Sequence, residues 1–389
     1  MTQPIDRDGL VRFAQDLVRV PSVLGGEERV VPLVAGRMRA VGFDRVETDE
    51  AGNVIGTLSG AATGPTLLYD AHMDTVDVLP REAWRHDPFG AELVEGRLYG
   101  RGSSDMKGAL AAMIHAAGSL DRTTLAGQVV VSASVGEELV EGAALRAVME
   151  RCHPDYVVIG EASDLNLVRA GRGRAEFVVQ TLGSPAHASS PDRGVNAVRR
   201  MCGVIEQIEA LPMPAHPFVG RGVMCLTDVI SVPYPAHSVV PSGCRATYER
   251  RLVPGETLET VRRELLDACA RAGAADTTVD LARTGYRSYT GVEWDQPKWF
   301  PAWELGADHA LVERALAGLR GIGLSPAIGA YQFCTNAAYS AGEAGVPTVG
   351  FGPSHEGMAH IVDEYLELEQ LVAACRGYAA IATSVIGAR

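Results

Sequence analysis

A chain of 389 residues is long enough to bury two hydrophobic cores. With 47% hydrophobic and 21% charged residues it has the composition of an ordinary water-soluble globular protein. The net charge of −13, with no block of like charge, argues against nucleic acid, whose phosphates reward a basic stripe.

The first stretch alternates helical and strand patterns. Leu10–Val18 and Glu27–Ala40 carry apolar residues at helical spacing, the second with Gly42 just beyond as a stop. Strands are expected near 53–58 and 66–71, and the small, apolar run 106–117 reads as a buried helix. Further short β-branched runs at 128–133, 156–159 and 346–351 read as buried strands. This rhythm predicts an α/β fold with a mostly parallel sheet. The character changes near Gly171-Arg-Gly-Arg174. Strands at 175–182, 223–232, 244–252 and 277–284, with amphipathic helices at 195–210 and 257–272, give the order β-α-β-β-α-β of a ferredoxin-like α+β domain. The stretch 286–303 holds three tryptophans without a clean period and reads as the returning connection. The expected organisation is a larger α/β domain, 1–173 and 289–389, interrupted by a smaller domain, 174–288.

Four of the apolar runs end, or nearly end, in a His or a carboxylate: His72 and Asp74, Glu137 and Glu138, Glu161, and His355 and His360. Ligand crevices of open α/β sheets lie beyond the carboxyl ends of the strands. These groups should therefore converge, and converging carboxylates repel unless cations sit among them. At i+2 of an extended segment His72 and Asp74 share a face, so a carboxylate can hold the second ring nitrogen of a metal histidine. Asp105, in Gly102-Ser-Ser-Asp-Met-Lys, suits either an N-cap of the following helix or a carboxylate bridging two metals. Glu137 and Glu138 suit either a solvated turn or a division of labour between metal and proton. Glu161, directly after a buried strand, is costly without a partner.

Seven scattered cysteines (Cys152, Cys202, Cys225, Cys244, Cys269, Cys334, Cys375) form no CxxC pair and read as free thiols in a reducing cytoplasm. The N-terminal residues do not read as a signal peptide, and no run of about 20 apolar residues suggests a membrane span.

The segments HMDTVDV (72–78), YGRGSSDMKG (99–108), SVGEELVEG (134–142), GEA (160–162), GSPAHASSPDRGVNA (183–197), ERRLVPGE (249–256) and GMAHIVDEY (357–365) resemble, in order, those of the M20 family of dinuclear metallopeptidases and amidohydrolases. RAGRGRAEF (169–177) and YTGVEWDQPKWFPAW (289–303) are most similar to its selenium-metabolism hydrolase-like branch. The resemblance implies a zinc-peptidase-type catalytic domain with an inserted lid and dimerisation domain. It places one metal on His72 and Glu161 and the other on Glu138 and His360, in preference to His355, with Asp105 bridging. It makes Asp74 the orienter of His72, Glu137 the general base and the Asp105–Met106 peptide cis. Three carboxylates then balance two divalent cations and a hydroxide, the neutrality a buried site prefers. Mixed nitrogen and oxygen donors suit Zn2+, and Mn2+ and Co2+ accept the same set. Locally His187 reads as a strand-end histidine; the resemblance makes it an oxyanion donor supplied by the partner subunit of a homodimer. Asn196 and Arg251 match lid positions that contact substrate, whereas Arg193 reads as a surface charge. Asn336 departs from the Asp or Ser of many members, in a segment expected to line the substrate side of the pocket. The expected reaction is hydrolysis of a small N-acyl amino acid, dipeptide or related amide. The rivals are an aminohydrolase acting on a non-peptide C–N bond and a non-catalytic binder.

Overall fold

The computed structural model describes residues 4–388. Four parallel strands lie side by side at the centre of a nine-stranded sheet, in the order Ala126–Ser134, Ala62–His72, Tyr156–Ile159, Thr348–Gly350. These are the four apolar runs that end in acids and imidazoles. Their near-continuous hydrophobicity follows from burial on both faces. Leu67, Tyr69, Ala71, Val129 and Val131 pack into the core that contains the helices Arg7–Arg19, Gly108–Gly118 and Leu368–Ile386. The alternate residues Leu68, Val130, Val157 and Ile159 pack with Leu145, Val148 and Met149 of the helix Ala143–Cys152. Antiparallel strands flank the centre, Val54–Ser59 and Arg45–Thr48 on one side and Leu167–Gly171 on the other.

A second, antiparallel sheet runs Val223–Val232, Gly243–Leu252, Gly173–Leu182, Thr278–Leu281. The helices Ala197–Glu209 and Leu258–Arg271 bury Met201, Val204, Ile208, Val261 and Leu265 against it. Each is stopped at its start by a side chain that accepts from the first-turn amides, Asn196 in one and Thr257 in the other.

The stretch 286–303, read from the sequence as the returning connection, carries paired strands. Arg283–Arg287 pairs with Glu293–Pro297 as a two-stranded ribbon. Trp299–Phe300 then adds to the second sheet beside Ala175 and Arg174, and Trp303–Glu304 adds to the first beside Gly171 and Ala170. Pairing with the second sheet thus extends past residue 288. The ribbon's second strand alternates between half-buried and exposed residues that include Glu, Asp, Gln and Pro, and its first buries only Thr284 and Tyr286 among exposed Arg and Gly, so no apolar period marks it. Among the described residues, no helix is long and apolar enough to cross a membrane.

Candidate metal centre

The carboxyl ends of the parallel strands deliver their polar groups to one point. His72 is the last residue of its strand, and its Nε2 lies 3.0 Å from Asp105 Oδ1 and 3.6 Å from Glu161 Oε1. His360 Nε2 lies 3.2 Å from the other oxygen of Asp105, Oδ2, and 3.0 Å from Glu138 Oε2. Two groups of potential ligands result, His72–Asp105–Glu161 and Asp105–Glu138–His360. Asp105 is common to both and turns a different oxygen to each. In a tetrahedral site with bonds of about 2.0 Å, ligand atoms stand roughly 3.3 Å apart. The spacings of 3.0–3.6 Å fit that shell. The choice of His360 over His355 agrees with this geometry, since His355 lines a separate groove with Ser163, Asp164 and Asn166.

The electrostatics of the bare site point the same way. Burial pushes the carboxyls of Glu137 and Glu138 above the ordinary range and lifts Glu161 to about 7, with Asp105 adding repulsion at Glu138 and Glu161. Hydrogen bonds donated to the carboxylates of Asp105 and Glu138 raise His360 to about 10. Burial alone would depress His72, but Asp105, Glu161 and Asp74 override it and hold the imidazole well above its usual value. Carboxylates crowded around two imidazoles favour added positive charge, which dications would supply. The donor set of two imidazoles and three carboxylates therefore fits two divalent ions.

The loops are built to hold these groups still. Asp105 caps no helix end; the helix that follows begins at Gly108, and the Asp105–Met106 peptide is cis. The loop is pinned by Glu364, wholly buried, which accepts from the backbone N–H of Ser104 (2.8 Å) and Asp105 (3.1 Å) and from Arg101 Nη1 (2.7 Å). Gly136 sets up the acidic turn with φ +66°, and a Cβ there would collide with the Tyr286 ring. Glu137 and Glu138 are not a solvated turn: Glu137 is 7% exposed and its Oε1 has no hydrogen-bond partner among the described residues. It is the one acid of the centre that leans on no imidazole, and it faces the cavity.

Asp74 orients the site differently from the expectation. His72 Nδ1 lies 3.0 Å from the Asp74 main-chain carbonyl and 3.6 Å from its carboxylate. A carbonyl can only accept, so Nδ1 carries the hydrogen and Nε2 keeps its lone pair for the centre. The carboxylate instead accepts from the backbone N–H of Glu137 (3.2 Å) and Glu138 (3.1 Å), fixing the turn that carries both acids.

Three other expected residues stand elsewhere. Asn336 is buried away from the cavity: Nδ2 donates to Asp70 Oδ2 (2.7 Å) and Ser134 Oγ (3.2 Å), and Oδ1 accepts from Gly142 N (2.6 Å). Its amide is consumed in joining the carboxyl-end regions of two strands to the start of the helix Ala143–Cys152, and Gln332, Phe333 and Cys334 of the same segment line the cavity instead. Asn196 spends its side-chain oxygen on the helix cap, with Val198 N and Arg199 N as donors. His187 is exposed, bonded to Ser189 Oγ at 2.7 Å, and does not line the cavity of its own chain. Arg251 does line it.

The cavity encloses about 360 Å3 between the two sheets, with the metal groups on one wall. Sequence reasoning missed Glu141, Arg174 and Glu356 on its other walls. Glu141 is a third acid within SVGEELVEG, and Arg174 is a charge on the half-buried face of the alternating strand Gly173–Leu182. Those were the available signals, but only the fold brings the two segments together.

A parallel α/β sheet with imidazoles and carboxylates gathered at its carboxyl ends is the framework of a metal-dependent hydrolase. The family model of Peptidase family M20/M25/M40 matches residues 68–384, and the chain belongs to that family. Relatives span the chain. An uncharacterized protein of Escherichia coli K12, YgeY, is 32% identical over 96% of this chain and 94% of its own length. Acetylornithine deacetylase of Salmonella paratyphi B is 29% identical, covering 92% of each. Among solved structures, aminopeptidase PepT of Bacillus cereus superposes with a TM-score of 0.76 at 21% identity, over 98% of this chain and 99% of that one. An M20 dinuclear metal-binding peptidase of Bacillus subtilis superposes at 0.73 and 16%, over 98% of each.

Proposed function

We propose that this protein hydrolyses the amide bond of a small N-acyl amino acid, dipeptide or related compound, as a cytoplasmic homodimer. The observation that carries the reading is Asp105, which offers one oxygen to each of two ligand groups while the buried, unpartnered carboxyl of Glu137 faces the same cavity. Two divalent ions, with Zn2+ the best match to these donors, would polarise the amide carbonyl and acidify a water molecule. Glu137 takes the proton of that water as it attacks the carbonyl carbon and passes it to the leaving nitrogen. Burial raises its carboxyl above the ordinary range, which favours taking up a proton. Asp74 keeps this turn and His72 in register. The small cavity favours ligands of amino-acid or dipeptide size.

In this reading the second sheet with its helices, residues 174–288, serves as lid and dimerisation domain. Its outer strand Val223–Val232 leaves Val223, Val229 and Val232 exposed, with Tyr234 just beyond, an edge that favours pairing with a second copy. Such pairing would carry the exposed His187 of one protomer toward the cavity of its partner, where it would donate to the developing oxyanion. Asn196 and Arg251 remain the proposed lid contacts, Asn196 through the amide nitrogen its cap leaves free. The test is a panel of N-acyl amino acids and dipeptides offered to metal-loaded protein, following both free amine and ammonia. Release of the amine from an amide, abolished by chelation, is expected. Ammonia release alone, or metal binding without turnover of any amide, overturns the reading.

A further inference from the structure

The cavity wall away from the metal groups carries charges of both signs. Glu141 Oε2 accepts from Arg174 Nη2 at 2.7 Å, and the Glu141 side chain is only 7% exposed. Among the described residues, Arg174 is the one other residue that hydrogen-bonds this carboxylate, and the Glu141 side chain lines the cavity. Arg174 is held in turn by the face of Phe300, with its guanidinium carbon 5.1 Å from the ring centroid. Arg251 lies within electrostatic reach of Glu141 and is tied to Glu249 Oε1 at 2.8 Å. Both arginines already have a carboxylate, so the wall is not a simple anion trap. An apolar ligand would bury these groups without compensation, and a ligand carrying only negative charge would face Glu141. A molecule with an ammonium and a carboxylate satisfies both ends.

Resting on the amide-hydrolase reading, we propose that Glu141 is a specificity residue and that the substrate is a zwitterionic amide. Its free ammonium binds the Glu141 carboxylate and its carboxylate binds Arg251. Arg174 keeps the Glu141 carboxylate ionised and aimed into the cavity. Anionic N-acyl amino acids of the same shape, which lack the ammonium, lose the charged contact and leave a buried carboxylate half-satisfied, so they bind more weakly.

The test separates recognition from turnover. In Zn2+-loaded Glu137→Gln protein, calorimetry compares Ala-Ala with N-propionylalanine and N-acetylornithine with N-acetylnorvaline, pairs that differ by one ammonium. At least one ammonium-bearing member should bind about tenfold more tightly or better, as a charged hydrogen bond in a partly buried site requires. Adding Glu141→Gln should bring the two Kd values together with metal content unchanged. Arg174→Met, which removes the cation that keeps Glu141 ionised and aimed, should narrow the difference as well and serves where Glu141→Gln fails to fold. Equal Kd values, no binding of any member, or a preference that survives loss of Glu141 overturns the proposal. Wild-type turnover of both members alike would do so too while leaving amide hydrolysis standing. Ammonium-dependent binding without hydrolysis of any amide would instead remove the hydrolase reading and keep the assignment of Glu141.

Discussion

Glu137→Gln tests the chemistry most directly, because the structure isolates what it removes. Glu137 Oε1 has no hydrogen-bond partner among the described residues, and the contact of this residue with Asp74 runs through its backbone N–H, which the substitution keeps. Glutamine is nearly the same shape. Asp105, Glu138 and Glu161 each lie within 3.6 Å of an imidazole nitrogen and stay engaged in the metal shell, so none is free to take over the proton. The expected loss in kcat is the full worth of a general base, roughly 10²–10⁴-fold, or about 3–5 kcal/mol of barrier at ~1.36 kcal/mol per decade. Steady-state kinetics paired with elemental analysis reads both quantities. Both ions should remain bound. The metal-free variant should also be more stable than metal-free wild type above pH 4.5: a carboxyl whose folded pKa is raised stabilises the fold only while protonated and loses that contribution as pH climbs. A loss smaller than tenfold with metal intact would place the base elsewhere. Loss of metal would make Glu137 a ligand rather than a base.

Asp105→Asn should release both metal ions and Glu161→Gln only one, as counted by elemental analysis after gel filtration; equal losses would contradict the bridging role. Chelated protein should lose thermal stability between pH 4.5 and 7 as Glu161 ionises, and again toward pH 10 as His360 loses its proton, because both folded pKa values are raised. Divalent metal should remove the dependence, and a chelated protein more stable at pH 8 than at pH 5 would reverse the sign of the argument. Asn336→Ala strips a donor from buried Asp70 and an acceptor from Gly142 N. At ~1–3 kcal/mol for each orphaned group, urea unfolding should register a loss of about 2–6 kcal/mol, and an unchanged midpoint would deny Asn336 its structural role. Mixing inactive Glu137→Gln with inactive His187→Ala should restore some activity, because one hybrid site is then intact; no recovery after demonstrated subunit exchange would confine His187 to its own chain.

The candidate ligands were legible in part from the chain. His72, Glu138 and Glu161 follow closely on apolar runs, and a parallel sheet places the ends of such runs on one edge. Asp105 as a bridge, the division of labour between Glu137 and Glu138, and His360 in preference to His355 came only from the family resemblance. Glu364 was harder to read. It stands four residues after His360 as one acid among several polar neighbours, and nothing local says that its carboxylate will accept two amides of the Asp105 loop. Asn336 misled for the same reason: an amide can line a pocket or pin strand ends, and its partners Asp70 and Gly142 are distant in the chain. The 283–297 ribbon was invisible because half-buried polar alternation carries no hydrophobic signal.

By itself the sequence determined the α/β layering, the four strand ends and the acids and imidazoles they carry, because burial of a strand's faces is written in its own residues. The tertiary structure decided which oxygen of Asp105 faces which histidine, how Asp74 divides its carbonyl and carboxylate between His72 and the acidic turn, and that Glu141 meets Arg174 across the cavity. These are pairings between side chains from separate segments, and such contacts depend on distances that no single segment encodes.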